Sequence, residues 1–361
     1  MRHWGLAAMV ALTATTGVSA RDLAVPANKG WMHADTKLIV RPSVAGLNRI
    51  AITDATTTEH DVAVKLENAD QSVFATLFLF HPSIPSVPLW FDRSRTAIEE
   101  RRNFDKGAPA SADPIAFAPL GTGPAVGLRQ SWSLLSSPYR STSLAVMPMG
   151  EWMLVVRLTA KLLTADALDA KMNEIIATLK PAIATAPAYP APAVVIRPCA
   201  TQTDFAHLPK AKVEKPGMSN PLLTLLMSAA VSNQIAKDKE NPKAEPVKPA
   251  APLCRDGASA TSFGVYRWED STDDGSGYMM ALYDAGRTID VFPDLMSQVE
   301  KRKTMSYTIR LNDVDNSSSS YPSFTNLPRP EQVFDLIAKG APTARSRGTN
   351  ITINSNMVGG S

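Results

Sequence analysis

Apolar residues recur at every second position in the first part of the chain, a period that is typical of strands. Over Ser72–His81 both the odd and the even positions are apolar, so a strand there would present apolar side chains on both faces. We therefore expect a central strand that is covered on both sides. Arg49–Thr53 and Asp61–Leu66 also have strand composition. Three further strands are predicted at Val126–Leu135, Thr142–Met149 and Glu151–Thr159, after a Gly-, Ala- and Pro-rich loop over 107–124.

Two segments of this half change to the helical period. Leu89–Asp105 combines an apolar side with a charged one and predicts the first helix. For the second helix, Thr164 is a candidate N-cap and Pro181 would end the helix. Between them the apolar residues fall on one helix face: Leu168, Met172, Ile175, Ile176 and Leu179. An antiparallel sheet with helices packed on its faces is the economical arrangement for this order of elements.

Residues 182–253 differ in composition from the rest of the chain and predict a linker. Its start is rich in Ala and Pro, and Lys237–Pro252 is charged and Pro-rich, which is typical of an extended connector. Asn220 and Pro221 are suited to begin an amphipathic helix that runs to about Lys237. That helix would serve either as a lid over the core or as a docking element for a partner, and we favour the lid.

Residues 254–361 predict a second, smaller α+β domain. Its strands are expected at Ser262–Trp268, Tyr278–Tyr283, Arg287–Phe292, Met305–Leu311 and Asn350–Asn354, and its helices at Asp294–Arg302 and Pro330–Ala338. The predicted fold class is α+β. It combines an antiparallel sheet with packed helices over 21–181, the linker, and this smaller domain.

The first 20 residues predict a signal peptide that is removed on export. Arg2 gives a short positive region, Trp4–Leu12 is uncharged and mostly apolar, and Val18-Ser19-Ala20 supplies the small residues that signal peptidase requires. Trp4–Leu12 is too short to span a bilayer, which takes roughly 20 apolar residues. We expect no transmembrane segment in the mature chain. A periplasmic or secreted location in bacteria follows from this prediction.

The charge balance argues against a nucleic-acid partner. The chain has 37 Lys and Arg against 34 Asp and Glu, and one of the 37 lies in the signal peptide, so the mature chain carries a net charge of about +2. Nucleic-acid binding usually needs a clear basic excess or a basic stripe, and the sequence shows neither. The hydrophobic content of 44% fits a globular protein.

The two cysteines, Cys199 and Cys254, predict one disulfide bond. Export would place them in an oxidising compartment, where an isolated pair is usually bridged. Two unrelated buried thiols are the alternative. Because no C-x-x-C motif is present, a catalytic redox role is not expected.

Residues 149–181 (MGEWMLVVRLTAKLLTADALDAKMNEIIATLKP) resemble part of a known family. A Gly-x-Trp turn opens a strand with an Arg-x-Thr step, and an amphipathic helix follows. This resembles the final strand–helix unit of PsbP/Mog1-like α/β sandwich domains. The ATLFLFHP strand and the first helix precede it in the order of that architecture, so the resemblance spans about 35–181. It implies an assembly or accessory factor without a general active site. Residues 254–361, with the string YMMALYDAGRTIDVFP, resemble uncharacterised exported proteins.

The sequence lacks the motifs of catalysis, cofactor binding and metal binding. It contains no G-x-S-x-G, no phosphate-binding glycine motif and no H-E-x-x-H. An EF-hand alignment that starts at Asp270 places Ala281 where the bidentate Glu is required. We therefore expect no catalytic residue, no cofactor and no metal ligand.

One polar cluster, Asp284, Arg287 and Asp290, is a candidate binding site, because its arginine is flanked by carboxylates. The alternative, which we favour, is a hairpin turn in which Gly286 supplies a positive φ and Arg287 is available to pair with Asp284 or Asp290. The chain as a whole is predicted to be a non-catalytic binding or assembly factor of the bacterial envelope. Its partner would be an envelope protein or a small ligand. An exported hydrolase with dispersed catalytic residues is the alternative.

Overall fold

The computed structural model describes residues 20–101, 107–135, 137–180, 189–214, 251–257, 259–270, 276–294, 305–348 and 350–354. Almost all of the predicted signal peptide lies outside these residues. The predicted amphipathic helix from Asn220 to Lys237, most of the connector after it and most of the predicted helix Asp294–Arg302 lie outside them as well. The predictions for these segments stay predictions.

Two antiparallel sheets are built from the first twelve strands of the described residues. The strands are β1 (Arg21–Asp22), β2 (Trp31–Met32), β3 (Ile39–Val40), β4 (Ser43–Val44), β5 (Leu47–Asp54), β6 (Asp61–Glu67), β7 (Val73–Phe80), β8 (Ala108–Pro109), β9 (Ile115–Phe117), β10 (Gly127–Ser133), β11 (Ser141–Met149) and β12 (Trp152–Ala160). The large first sheet has the order β1-β5-β6-β7-β12-β11-β10-β8, with β4 beside β5 and β9 beside β10. β2 and β3 form a small sheet of their own.

Two helices cover opposite faces of the first sheet: α1 (Val87–Glu99) and α2 (Ala165–Leu179). The hydroxyls of Ser86 and Thr164 accept hydrogen bonds from backbone N–H groups of the first turns and so cap the two helices. Lys180 adopts the left-handed conformation and ends α2. The predicted cap at Thr164 is therefore present.

The alternation of side chains along β12 explains why both faces of the first sheet are covered. Leu154 and Val156 pack on the side of α2, whereas Met153 and Val155 pack on the side of α1. All four are at most 1% exposed. β7 lies between β6 and β12, so its predicted central position is confirmed. One face is buried on the side of α2, whereas on the other face Phe80 is buried and Phe74, Thr76 and Phe78 are only partly buried.

The strands of the second sheet follow one another in chain order. They are β13 (Leu253–Arg255), β14 (Phe263–Trp268), β15 (Tyr278–Leu282), β16 (Arg287–Pro293), β17 (Tyr307–Asn312), β18 (Ser317–Phe324), β19 (Ala344–Arg347) and β20 (Asn350–Ile353), with α3 (Pro330–Lys339) between β18 and β19. Ile289 and Val291 pack against Val333 of α3 on one face. Tyr266 and Met279 pack with residues of α1 on the other face. Helix α1 therefore lies between the two large sheets.

Several segments differ from their predicted structure. The predicted loop over 107–124 contains β8 and β9, which pair with β10 at the edge of the first sheet. The sequence of β18 does not predict a strand because its consecutive serines lack apolar alternation, yet three of them are buried where β18 pairs with β17 and β19. The first helix begins at Val87 rather than Leu89 because Ser86 caps it. The α+β class with two sheet regions is confirmed, and the domain boundaries stay a prediction.

A disulfide bond joins Cys199 to Cys254, which are 55 residues apart, so the predicted bond is present. It ties β13 to the segment before it, and the Cys199 N–H also donates to the carbonyl of Arg255 at 2.9 Å. Disulfide bonds persist mainly outside the cytoplasm, which supports a non-cytoplasmic location. In the described part of the chain, no helix has the length and apolar character needed to cross a membrane.

Candidate functional site

A cleft of about 510 Å³ lies between the second sheet and the loop that follows β7. The second sheet contributes the face that also packs on α1, and the loop contributes Ser83 and Ile84. The size is that of a small-molecule site. The lining residues are Ser83, Ile84, Tyr266, Arg267, Trp268, Ser276, Gly277, Tyr278, Met279, Asp290, Val291, Phe292, Arg310 and Asn312.

One carboxylate oxygen organises the polar side of the cleft. Asp290 Oδ2 accepts hydrogen bonds from Arg310 Nη2 at 2.7 Å, from Arg310 Nε at 3.2 Å and from Asn312 Nδ2 at 2.9 Å. The register of β16 and β17 places Asp290 directly opposite Arg310, the position in which cross-strand pairs interact. Because the two opposite charges are paired, they add no net charge to the cleft.

The hydrogen bonds continue from this pair to the loop after β7. Asn312 Nδ2 lies 3.3 Å from Thr288 Oγ1, and Thr288 Oγ1 lies 2.8 Å from Ser83 Oγ. Ser83 Oγ also donates to the carbonyl of Gly286 at 3.0 Å. The network therefore connects the second sheet to a loop of the first.

Aromatic side chains form the apolar side of the cleft. Trp268 and Phe292 are partly buried, and the Arg310 guanidinium lies 5.4 Å from the centre of the Phe292 ring. Tyr266 is fully buried, and its hydroxyl donates to Asp92 Oδ2 at 2.7 Å. Burial raises the pKa of Tyr266 well above its usual value, so this hydroxyl stays protonated.

The predicted cluster Asp284, Arg287 and Asp290 does not come together as one site. In the described part of the chain Arg287 is bonded to neither carboxylate, and instead contacts Asp61 at 3.2 Å and Asp313 at 2.9 Å. Residues 287 and 290 are separated by an odd number of positions, so they point to opposite faces of β16. The prediction that Arg287 pairs within the cluster is therefore wrong.

The carboxylates of that cluster have separate roles. Asp290 belongs to the cleft, while Asp284 pairs with Arg157, which lies over the ring of Phe78 at 5.2 Å. Burial lowers the pKa of Arg157 to about 10. Gly286, with φ of 84°, lies in the turn between β15 and β16, so the hairpin that we favoured is present.

A buried arginine of α1 joins the helix to the second sheet. Arg93 is fully buried. Its Nε donates to the carbonyl of Tyr283 at 2.7 Å, and its Nη2 donates to the carbonyls of Ala260 at 2.8 Å and Thr261 at 2.9 Å. Its Nη1 donates to Ser259 Oγ at 2.7 Å. The guanidinium therefore anchors the segments on either side of β14 and β15.

Asp92, the residue before Arg93, also joins α1 to the second sheet. Asp92 is 4% exposed and accepts hydrogen bonds from Arg255 Nε at 3.1 Å and from the hydroxyl of Tyr266. Sequence reasoning missed both charged residues of α1, since a charge pair in an amphipathic helix usually faces solvent. The one feature of the sequence that indicates their burial is their position directly after the apolar Trp90 and Phe91.

Three of the four histidines outside the predicted signal peptide surround one tryptophan. The ring centroids of His33, His60 and His81 lie 4.6, 5.4 and 5.2 Å from that of Trp152. Burial lowers the pKa of His33 and of His81. His33 Nδ1 also accepts the backbone N–H of Thr36 at 3.2 Å, which only the neutral ring can do. Among the described residues no group of three or more His, Cys, Asp or Glu is suited to hold a metal ion.

Comparison of the chain with protein-family models, with curated proteins and with solved structures finds no match. The resemblance of residues 35–181 to PsbP/Mog1-like domains therefore stays a prediction. The function has to be inferred from the geometry of the cleft.

Proposed function

We propose that the protein is exported to the bacterial envelope and binds a small ligand or partner in the cleft without converting it. The polar network of the cleft carries this proposal, because its side chains are bonded to one another. Asp290 forms an ion pair with Arg310, and the Ser83 hydroxyl is hydrogen-bonded to the Thr288 hydroxyl. A serine nucleophile needs an adjacent base, whereas the bonds of Ser83 hold the loop on the second sheet.

The resemblance to PsbP/Mog1-like domains supports the same proposal, because such domains mostly act as assembly or accessory factors. The order of β7, α1, the strands β10 to β12 and α2 is the order that this architecture requires. A fold alone does not establish a function. The resemblance of residues 35–181 to this fold type therefore supports the proposal only together with the geometry of the cleft.

Photo-crosslinking tests whether the cleft is a binding site. Trp268 is replaced by p-benzoylphenylalanine in cells that export the protein, and Leu162, which is 68% exposed, receives the same replacement as the control. We expect irradiation to attach a discrete mass at position 268 and none at position 162. Equal labelling at both positions, or none at position 268, would refute the cleft as the site.

An activity assay separates binding from hydrolysis. Wild-type protein is incubated with chromogenic ester and peptide substrates beside the Ser83→Ala and Asp290→Asn variants. We expect no turnover by any of them, because among the described residues the Ser83 hydroxyl bonds only the Gly286 carbonyl and the Thr288 hydroxyl, neither of which is a general base. Turnover by the wild type that either substitution abolishes would establish the hydrolase instead.

Fractionation tests the proposed location. The predicted signal peptide and the disulfide bond both support export, so the mature protein should appear in the periplasm or the medium with Arg21 as its first residue. A cytoplasmic protein that retains Met1 would contradict export.

A further inference from the structure

The ion pair of the cleft disfavours a charged ligand. Both Nε and Nη2 of Arg310 donate to Asp290 Oδ2, and such charge-assisted hydrogen bonds are among the strong ones. An anion that approached Arg310 would compete with Asp290, and a cation that approached Asp290 would compete with Arg310. A neutral ligand leaves the pair intact.

The same pair leaves hydrogen-bonding capacity for a neutral ligand. All three bonds to Asp290 go to Oδ2, and Oδ1 is bonded to no described residue. A carboxylate oxygen accepts hydrogen bonds, so Oδ1 suits a neutral ligand that has a hydroxyl group to donate.

The aromatic side of the cleft supplies the complementary apolar surface. Trp268 and Phe292 both line the cleft and are partly buried. The indole N–H of Trp268 is a donor only, and it is bonded to no described residue. A pyranose ring presents apolar C–H groups on its face and hydroxyl groups at its rim, so it matches an aromatic ring beside polar side chains.

We infer that the cleft binds a neutral saccharide, with a sugar ring on Trp268 and a sugar hydroxyl that donates to Asp290 Oδ1. The inference rests on the proposed binding function and names the class of ligand. The cleft of about 510 Å³ accommodates a short oligosaccharide within the range of small-molecule sites.

Isothermal titration calorimetry of the full mature chain tests the ligand class. Chitotriose and maltotriose are the neutral saccharide probes, and citrate and spermidine are the charged ones. We expect at least one saccharide to bind and neither charged probe to bind. Because about 1.4 kcal/mol corresponds to tenfold in affinity, loss of the stacking ring in Trp268→Ala should weaken binding at least about tenfold.

Two conservative variants keep the test independent of folding defects. Trp268→Phe retains an aromatic face and should weaken binding less than about threefold, while Asp290→Asn removes the charge at nearly the same shape and should weaken it at least about fivefold. Leu162→Ala, at an exposed position, should leave the affinity unchanged. Thermal unfolding of each variant confirms that it is folded.

Distinct results overturn the inference. Binding of citrate or spermidine without either saccharide would replace the saccharide by a charged ligand and leave the binding function in place. Saccharide binding that is unchanged in Trp268→Ala and Asp290→Asn would place the sugar elsewhere. Failure of all four probes would reject the saccharide, and crosslinking at position 268 would then show whether the binding function fails with it.

Discussion

Replacing Arg93 by methionine tests how the two large sheets are held together. Methionine keeps an unbranched apolar stem in the same space but donates no hydrogen bonds. The carbonyls of Tyr283, Ala260 and Thr261 and the hydroxyl of Ser259 would each lose the donor that Arg93 now supplies. The substitution therefore removes the four hydrogen bonds by which this side chain joins α1 to the segments before β14 and after β15.

The magnitude follows from the number and kind of these bonds. A hydrogen bond to a charged group contributes about 1.5–3 kcal/mol, and a buried group left unsatisfied costs about 1–3 kcal/mol. The four losses do not add fully, because carbonyls near the edge of the contact regain water. Removing one partner from a buried charged network costs about 3–5 kcal/mol. We expect the free energy of unfolding to fall by about 4 kcal/mol, with a fall in Tm of roughly 6 °C.

Urea unfolding measures this change, with tryptophan fluorescence and circular dichroism as two probes. Arg95→Ala is the matched control, because Arg95 lies on the same helix and its side chain bonds, within the described part of the chain, only the exposed Glu99 at 2.7 Å, a pair worth about 0.3–0.5 kcal/mol. In Arg93→Met the two probes should also cease to coincide, since the sheets lose a shared contact. The reasoning fails if Arg93→Met lies within about 1 kcal/mol of Arg95→Ala and unfolds in a single transition.

Three further predictions concern other parts of the fold. Serine at Cys199 and Cys254 should lower the free energy of unfolding by ~4 kcal/mol in the chain-entropy model for a separation of 55 residues; thiol labelling of either cysteine in the native exported protein would contradict the bond. Burial lowers the pKa of His33 below 6.5, so the neutral ring contributes fully to the free energy of unfolding above pH 6.5 and this contribution is lost as the pH falls. In thermal melts at about pH 6.5 and about pH 5, the range in which histidine titrates, His33→Gln should therefore lose less stability than the wild type. An equal loss in both proteins would refute this. A Cβ at Gly286 would lie 2.8 Å from a side-chain carbon, whereas Gly348 has a positive φ and open space, so Gly286→Ala should cost about 1–3 kcal/mol more than Gly348→Ala in urea unfolding; equal costs would contradict it.

The elements that the sequence predicts well are those whose signal is local. The apolar run of β7 and the helical spacing of α2 are complete within one segment, so periodicity alone indicates them. The cleft is different, because Asp290 meets Arg310 only through the register of two strands with residues 294–306 between them. A shift of that register by one residue would turn one of the two side chains to the other face.

The position of the cleft ties ligand binding to the contact between the sheets. Ser83 and Ile84 belong to a loop of the first sheet, while Asp290 and Arg310 belong to the second, so the complete cleft exists only while the sheets are in contact. A ligand that contacts both walls of the cleft stabilises the contact between the sheets. By linkage, a substitution that weakens this contact also weakens the binding of that ligand. Arg93 does not line the cleft, yet Arg93→Met should reduce crosslinking at position 268 along with stability. A large loss of stability with unchanged crosslinking would show that the second sheet forms the site by itself.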